Sequence, residues 1–289
     1  MRRALSIILV LATAGVGVWL SQRRPNAPQL AGPTLYVSFI DVGEGDSALI
    51  ETPDGYTALI DAGGPKSGES VVNLLRSRGV YKLDLFVLTH AHADHIGGAQ
   101  AVLDAIKVEH VLDSGCTEGS PLQERVLQTI ANKRIPYKVA QAGQIFRLGA
   151  RTRVKILLPG RNPLTETASK ANNNCIAARV LFGRVSLLLL GDIETEAEQR
   201  LIAHNQGLRC DVVKIAHHGG FGSTSNELLR LAKPQYAVIS VGSRNEYGHP
   251  HRETLRRLRA AGATIERTDK LGTVFVATDG RSTRVWSER

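Results

Sequence analysis

The segment from Thr89 to Gly98 restricts the folds open to this chain more than any other part of the sequence. It follows the apolar run Leu83–Thr89, so it lies where a strand ends and a loop begins. Four of its residues are metal-ligand types: His90, His92, Asp94 and His95. Burying so many polar groups without a metal would be costly, and imidazole nitrogen and carboxylate oxygen suit zinc or manganese. The segment therefore predicts a metal site, with His90 and His92 at one ion and Asp94 and His95 at a second.

Two later apolar runs end in residues of the same kind. Leu187–Leu190 leads to Asp192, and Val212–Ala216 leads to His217 and His218. Asp192 taken alone could cap the helix that follows, but beside the first segment it is expected to bridge two cations. Either His217 or His218 would complete the ligand set, since adjacent residues that leave a strand point in opposite directions. The expected cofactors are two divalent ions, Zn²⁺ or Mn²⁺.

The N-terminal residues have the composition of an export or anchoring signal. Ala4–Leu20 is a run of 17 residues without a charge, and two arginines flank it on each side. That length is near the lower limit for a membrane-spanning helix and also fits a signal peptide. We expect residues 1–24 to be a signal peptide or a single membrane anchor, residues 25–34 a linker, and residues 35–289 one exported domain.

From Leu35 onward, short β-rich runs alternate with amphipathic helices. The candidate strands are Leu35–Asp41, Ser47–Glu51, Thr57–Asp61, Leu83–Thr89, Val108–Leu112, Val154–Leu158, Ile176–Leu181, Val185–Leu190, Val212–Ala216, Ala237–Val241, Thr264–Glu266 and Thr273–Ala277. The candidate helices are Ser70–Arg78, Gly97–Ile106, Leu122–Ala131, Glu194–His204, Asn226–Ala232 and Pro250–Ala261. Two sheets with helices on their outer faces would bury this many strands.

Charge and cysteine content narrow the function classes. Without the four N-terminal arginines the chain has 32 basic and 27 acidic residues, a net charge of +5 that suits a polyanionic substrate. The three cysteines exclude a disulfide framework. In an exported protein one pair could oxidise, and the sequence favours no pairing among Cys116, Cys175 and Cys210.

The motifs resemble those of a known family. His90–His95 resembles the signature of the metallo-β-lactamase superfamily, and Asp61 resembles its early aspartate. Five further motifs resemble, in order, the metallo-hydrolase domain of the ComEC-type competence DNA-uptake proteins: Asp41–Ser47, Asn172–Asn174, Leu190–Asp192, Lys214–Gly219 and Tyr247–Pro250. The resemblance runs from about Leu35 to about Val276 and implies an α/β (α+β) fold, a four-layer αββα sandwich after the apolar N-terminal segment.

Some positions depart from the family pattern. The family usually has Gln where this chain has Glu44, and Ser where it has Cys175 and Gly220. The central metal-binding histidine of true β-lactamases has no counterpart, and Asn172–Asn174 occupies the corresponding position. The multi-span channel of the competence proteins is also absent, so the resemblance covers only their hydrolase part.

The motifs and the resemblance together assign expected roles. The expected metal ligands are His90, His92, Asp94, His95, Asp192, His217 and His218. The expected supporting residues behind them are Asp61, Asp41, Asp46, Asn173 and Asn174. The expected catalytic residues are Asp94, His217 and His249, the last because it directly precedes a helix start, where an anion can bind.

These expectations describe a metal-dependent hydrolase with a dinuclear centre, most simply a phosphodiesterase or nuclease that acts on DNA outside the cytoplasm. An esterase of another substrate, such as phosphorylcholine on wall polymers, is an alternative. A non-catalytic binding module is a third, against which the complete ligand set argues. The expected partners are DNA as substrate and the membrane at an uncleaved N-terminus; the sequence indicates no protein partner.

Overall fold

The computed structural model describes residues 30–117, 119–204 and 207–289. The predicted signal or anchor at residues 1–24 lies outside the described residues, as does most of the predicted linker. Within the described ranges, no helix is both long and apolar enough to cross a bilayer.

The strands are short and occur throughout the described chain. In order they are β1 Leu35–Phe39, β2 Ala48–Glu51, β3 Thr57–Ile60, β4 Lys82–Leu83, β5 Leu85–Leu88, β6 Lys107–Val108, β7 Val111–Asp113, β8 Tyr137–Val139, β9 Ile145–Leu148, β10 Thr152–Leu158, β11 Ala177–Phe182, β12 Val185–Leu189, β13 Val212–Lys214, β14 Tyr236–Ile239, β15 Thr264–Arg267, β16 Val274–Thr278 and β17 Thr283–Ser287. The helices are α1 Gly68–Ser77, α2 Ala93–Ile96, α3 Ala99–Ala105, α4 Pro121–Asn132, α5 Lys170–Asn173, α6 Thr195–His204, α7 Asn226–Ala232, α8 Arg252–Ala260 and α9 Thr268–Leu271, with a 3₁₀ turn at Ala216–Gly219.

In the described part of the chain, most strands form two mixed sheets. The first has eight strands in the order β17-β16-β1-β2-β3-β5-β7-β8, and the second has seven in the order β15-β14-β13-β12-β11-β10-β9. Strands β3, β5 and β7 run parallel to one another, as do β12, β13, β14 and β15. The carboxyl ends of each parallel set therefore lie at one edge of their sheet, where loops can carry functional side chains.

Three apolar clusters divide the fold into four layers. The end of β12 and the residue after it show this alternation: Leu187 and Leu189 belong to the cluster between the sheets, while Leu188 and Leu190 belong to the outer one. Helices α6, α7 and α8 cover the outer face of the second sheet through residues such as Leu201, Leu229 and Leu258. Helices α1, α3 and α4 cover the first sheet in the same way. The αββα sandwich is confirmed.

The structure also corrects several predicted elements. The predicted strand Leu83–Thr89 is interrupted at Asp84, whose carboxylate accepts a hydrogen bond from the backbone of Thr57 and pairs with Lys82. The helix predicted to begin at Pro250 begins at Arg252. Strands β8, β9 and β17 were not predicted. They contain several solvent-exposed or half-buried side chains, so they lack the continuous apolar pattern of a buried strand.

Candidate metal centre

The predicted ligand segments meet at one edge of the sandwich. Asp61 follows β3, the first histidine segment follows β5, Asp192 follows β12, and His217 and His218 follow β13. Each of these strands belongs to one of the two parallel sets, so their carboxyl ends are close to one another. The edge of the fold therefore assembles side chains that are far apart in the sequence.

Four of these side chains form a compact cluster. Asp94, His95, Asp192 and His218 each offer one ligand atom, and these atoms lie within 4.8 Å of one another. Asp192 Oδ2 is 3.1 Å from His95 Nε2 and 3.5 Å from His218 Nε2. Asp94 Oδ2 is 3.2 Å from His218 Nε2 and 3.7 Å from His95 Nε2. Two carboxylates thus face two imidazoles around a common space.

His90 and His92 lie beside this cluster. The ring centroid of His90 is 4.6 Å from that of His92 and 4.1 Å from that of His95. His90 Nε2 is 4.0 Å from Asp192 Oδ2. The same carboxylate oxygen therefore lies within 4.0 Å of three histidine nitrogens, which is the placement expected of a bridging ligand.

Buried polar atoms in the site lack hydrogen-bond partners. Among the described residues these include His90 Nε2, His95 Nε2 and Asp192 Oδ1. Buried polar atoms are normally hydrogen-bonded, because leaving them unpaired costs free energy. Nitrogen and carboxylate oxygen atoms left free in one small space are a donor set that fits divalent cations such as zinc or manganese.

The charges of the cluster stabilise one another. Burial would raise the pKa of Asp94 and Asp192, but contacts with His95 and His218 outweigh it and hold both pKa values below the ordinary range. Burial would lower the pKa of His218, but Asp192 and Asp94 raise it to about 10. Burial lowers the pKa of His90 well below its ordinary value. Protons and metal ions compete for the nitrogens of His95 and His218, so metal binding releases protons.

Asp61 holds the first histidine segment in place. Its Oδ2 accepts from His95 Nδ1 at 2.8 Å and from the Thr89 hydroxyl at 2.6 Å, and its Oδ1 accepts from Thr89 N at 2.8 Å. A carboxylate that accepts from Nδ1 leaves Nε2 of His95 directed at the cluster. Asp61 has a left-handed backbone with φ of 57°, so this position is held by its contacts. Thr89 was not among the predicted site residues, and its hydroxyl also lies 3.1 Å from His90 Nδ1.

His218 is held in the same way from the second sheet. Its Nδ1 donates to the carbonyl of Ser240 at 3.0 Å and lies 3.5 Å from Asp46 Oδ1. Asp46 in turn forms a buried ion pair with Lys214. Asp46, one of the predicted supporting residues, thus lies behind a histidine of the cluster. Ser240 and the buried contact of Lys214 were not foreseen.

The structure separates His217 from His218. Both have left-handed backbones, with φ of 49° and 52°, so their side chains diverge. His217 Nδ1 lies 3.4 Å from Glu194 Oε1, and burial lowers the pKa of His217. His218, not His217, therefore belongs to the four-residue cluster.

The asparagine run shapes the loop next to His217. Asn173 Oδ1 accepts from the backbone of Glu194 and Ala197, so it caps helix α6. Asn174 bonds both the N–H and the carbonyl of Leu164. The structure shows these two side chains holding the loop and the helix start, and their supporting role toward the metal ligands stays a prediction.

Asp41 and Cys175 make different kinds of contact. Asp41 lies in the β1–β2 loop and contacts Arg289 at 3.1 Å. Cys175 accepts a hydrogen bond from the backbone N–H of Asp192 at 3.2 Å, so it holds the backbone that carries this side chain. The described structure contains no disulfide among Cys116, Cys175 and Cys210.

His249 lies at the rim of the cluster. Its ring centroid is 5.5 Å from that of His217 and 6.0 Å from that of His218, and exposed Tyr247 stacks on it at 5.5 Å. Its Nδ1 is 2.9 Å from Glu44 Oε1, a partner that the sequence analysis did not foresee. His249, one of the two histidines predicted to be catalytic, thus lies near the cluster but outside it.

Comparison with known proteins agrees with this geometry. Residues 40–243 match the sequence pattern of the metallo-beta-lactamase superfamily. The chain belongs to this superfamily. Together with the ligand cluster, this membership identifies a metal-dependent hydrolase with a candidate dinuclear site.

Two curated relatives are similar to this chain over most of its length. ComE operon protein 3 of Bacillus subtilis (strain 168) is 32% identical over 255 residues, covering 82% of this chain and 32% of that protein. Competence protein ComA of Neisseria gonorrhoeae is 31% identical over 238 residues, covering 82% of this chain and 31% of that protein. The chain thus spans about a third of the length of these relatives.

A solved structure shares the fold at low identity. The Zn²⁺-bound PqqB from Methylobacterium extorquens superposes with a TM-score of 0.54 at 12% identity, covering 80% of this chain and 97% of that one. Similarity at this level supports the fold alone.

Proposed function

We propose that this protein is a metal-dependent phosphodiesterase, a nuclease that acts on DNA outside the cytoplasm. The observation that carries the proposal is the placement of Asp192 Oδ2 within 4.0 Å of three histidine nitrogens, next to Asp94. Such a ligand set suits two cations, and two-cation sites are typical of enzymes that cleave phosphate esters.

The described residues provide ligands for two ions. His90 and His92 would hold one ion, Asp94, His95 and His218 the other, and Asp192 would contact both. Zn²⁺ and Mn²⁺ both accept this mixture of nitrogen and oxygen donors. When bound, a pair of divalent ions activates water near neutral pH and neutralises the charge of the phosphate oxygens.

DNA is the substrate that best fits the surroundings and the relatives. One of the relatives is named Competence protein ComA. Arg244 and Arg252 are exposed on either side of His249 in the chain and can contact phosphate groups. Exposed Tyr247 and Phe221 offer surfaces on which unpaired bases can stack, which favours single-stranded or frayed DNA.

Two arginines that lie close to His249 in the sequence make other contacts in the structure. Arg257 is buried and donates to the carbonyls of Phe221, Ser223 and Thr224, so it holds a loop. Arg256 pairs with Glu253. The phosphate-binding role therefore falls to exposed Arg244 and Arg252.

The location outside the cytoplasm is part of the proposal. It rests on the apolar run Ala4–Leu20 with its flanking arginines. Alkaline phosphatase fused after Arg289 should be active, because this enzyme needs an oxidising compartment. Activity of a fusion partner that works only in the cytoplasm would contradict the export proposal.

A substrate panel tests the proposed activity. Protein loaded with Mn²⁺ or Zn²⁺ is incubated with labelled single- and double-stranded DNA, p-nitrophenyl phosphorylcholine and nitrocefin, with Asp192→Ala as the control. We expect DNA cleavage by the wild type alone, weakening steeply as salt rises. Turnover of the choline ester without DNA cleavage above the control would favour the alternative esterase function. If the protein turns over none of these substrates, a binding module is favoured.

A further inference from the structure

We propose that Glu44 is a positioning residue that holds His249 as the proton donor to the leaving oxygen of the substrate. This inference rests on the proposed function and assigns a role to a pair of residues within it. Glu44 is also one of the positions at which the chain departs from its family pattern.

The carboxylate of Glu44 is fixed at both oxygens. Oε2 accepts from the backbone N–H of Gly242 at 2.7 Å, and Oε1 is 2.9 Å from His249 Nδ1. Glu44 lies in the loop between β1 and β2 of the first sheet, whereas Gly242 and His249 follow β14 of the second. A Cβ atom on Gly242 would lie 2.7 Å from the backbone nitrogen of Glu44, so the two loops are in close contact. The pair therefore joins the two halves of the fold.

The backbone of His249 is fixed as well. Asn245 Oδ1 accepts from His249 N at 2.8 Å, and Asn245 Nδ2 donates to the carbonyls of His249 and Gly242. The His249 side chain is only 8% exposed, and the rings of Tyr247 and His217 lie at 5.5 Å. Backbone and ring are therefore both restricted to one orientation at the rim of the cluster.

The chemistry of the pair follows from its contacts. A carboxylate only accepts hydrogen bonds, so Nδ1 of His249 carries a proton and Nε2 remains for the substrate. A carboxylate behind an imidazole also stabilises the positive charge of the protonated ring. When water attacks the phosphorus, a new P–O bond forms, the water gives up a proton to solvent, and the bond to the leaving oxygen breaks. The leaving oxygen keeps the electron pair and takes the proton from Nε2, and solvent then returns a proton to the ring.

The test compares two leaving groups. Bis(p-nitrophenyl) phosphate releases p-nitrophenolate, which needs no proton, whereas the dinucleotide thymidylyl-thymidine releases a sugar alkoxide, which does. His249→Ala should lower kcat on the dinucleotide by about 100-fold and Glu44→Gln by about 10-fold, with KM unchanged. Both substitutions should alter kcat on the nitrophenyl ester by less than about 3-fold. Added imidazole should restore the activity of His249→Ala on the dinucleotide.

Controls separate positioning from structure. Glu246→Gln makes the same change at an exposed carboxylate in the His249 loop and should behave as wild type. Metal content by elemental analysis should be equal in all variants. If Glu44→Gln slows both esters equally or loses metal, the inference is overturned while the proposed function stands. If the wild type cleaves neither ester, the proposed function fails and the inference fails with it.

Discussion

Single side chains behind the ligands determine how the ligands point. Asp61 accepts from both His95 and Thr89, and the Ser240 carbonyl accepts from His218. In each case Nδ1 is occupied, so Nε2 faces the cluster. Supports of this kind hold the ligands in place before a metal binds.

Replacing Asp61 by Asn should weaken metal binding. An amide can still accept from Thr89 N, but its NH₂ group cannot accept from His95 Nδ1 or the Thr89 hydroxyl. Loss of such a support costs about 10- to 100-fold in metal affinity. Titration against a fluorescent zinc chelator measures this loss, with the exposed Asp104→Asn as control. Equal affinities in both variants would contradict the role of Asp61.

The three cysteines should differ in reactivity. Burial raises the pKa of the Cys210 thiol to about 12 and that of Cys175 well above its ordinary value, whereas Cys116 is only partly buried. Thiolate is the reactive form, so buried thiols with raised pKa values react slowly. We expect Ellman's reagent to label Cys116 alone in the folded protein and all three cysteines in denaturant. Rapid labelling of two or more thiols in the folded state would contradict the burial of Cys175 and Cys210.

Local patterns predicted the ligand types but not all their contacts. The segment His90–His95 and the position of Asp192 at a strand end were visible in the sequence, because both follow apolar runs. The choice between His217 and His218 was not visible in the sequence, because it depends on the left-handed backbone of these two residues. The His218 contact with Asp94 spans 124 residues and that of His249 with Glu44 spans 205, and no local pattern specifies such pairs.

At the scale of helices and strands, the regular spacing of apolar residues predicted the elements most reliably. Helix α7 was predicted from its apolar spacing with the bounds it has; in the structure Ser225 caps it and Leu228 and Leu229 are buried. The strands β8 and β9 were not predicted because each lies at the end of a sheet and has a neighbouring strand on one side only. Their side chains can face solvent, so their sequences need not be apolar. Sequence patterns therefore define the inner strands better than the margins of the sheets.

The junction between the histidine segment and helix α3 needs glycine. A Cβ atom on Gly97 would lie 2.3 Å from the backbone nitrogen of Pro65, whereas one on Gly64 would have its nearest neighbour, Ser67 Oγ, at 4.0 Å. Gly97→Ala should therefore lower the free energy of unfolding by about 2 kcal/mol, because the backbone must move apart. Gly64→Ala, the matched control, should change it by less than about 0.5 kcal/mol. Urea denaturation measures both, and equal midpoints would contradict the close packing.

At the scale of the whole molecule, the sandwich brings both sheets to one site. The first sheet supplies His90, His92, Asp94 and His95, and the second supplies Asp192 and His218. Neither half contains the complete set, so the site exists only when the sheets pack face to face. The fold class followed from the strand and helix pattern, whereas the site needed the packed structure.

The number of metal ions bound per chain tests the central claim most directly. The purified protein is saturated with Mn²⁺ or Zn²⁺, freed of excess metal and measured by elemental analysis beside Asp192→Ala. The geometry predicts about two ions per wild-type chain and fewer in the variant, because Asp192 Oδ2 lies near histidines of both predicted ion sites. A wild-type protein that retains no divalent metal, or the same amount as Asp192→Ala, would contradict the dinuclear centre.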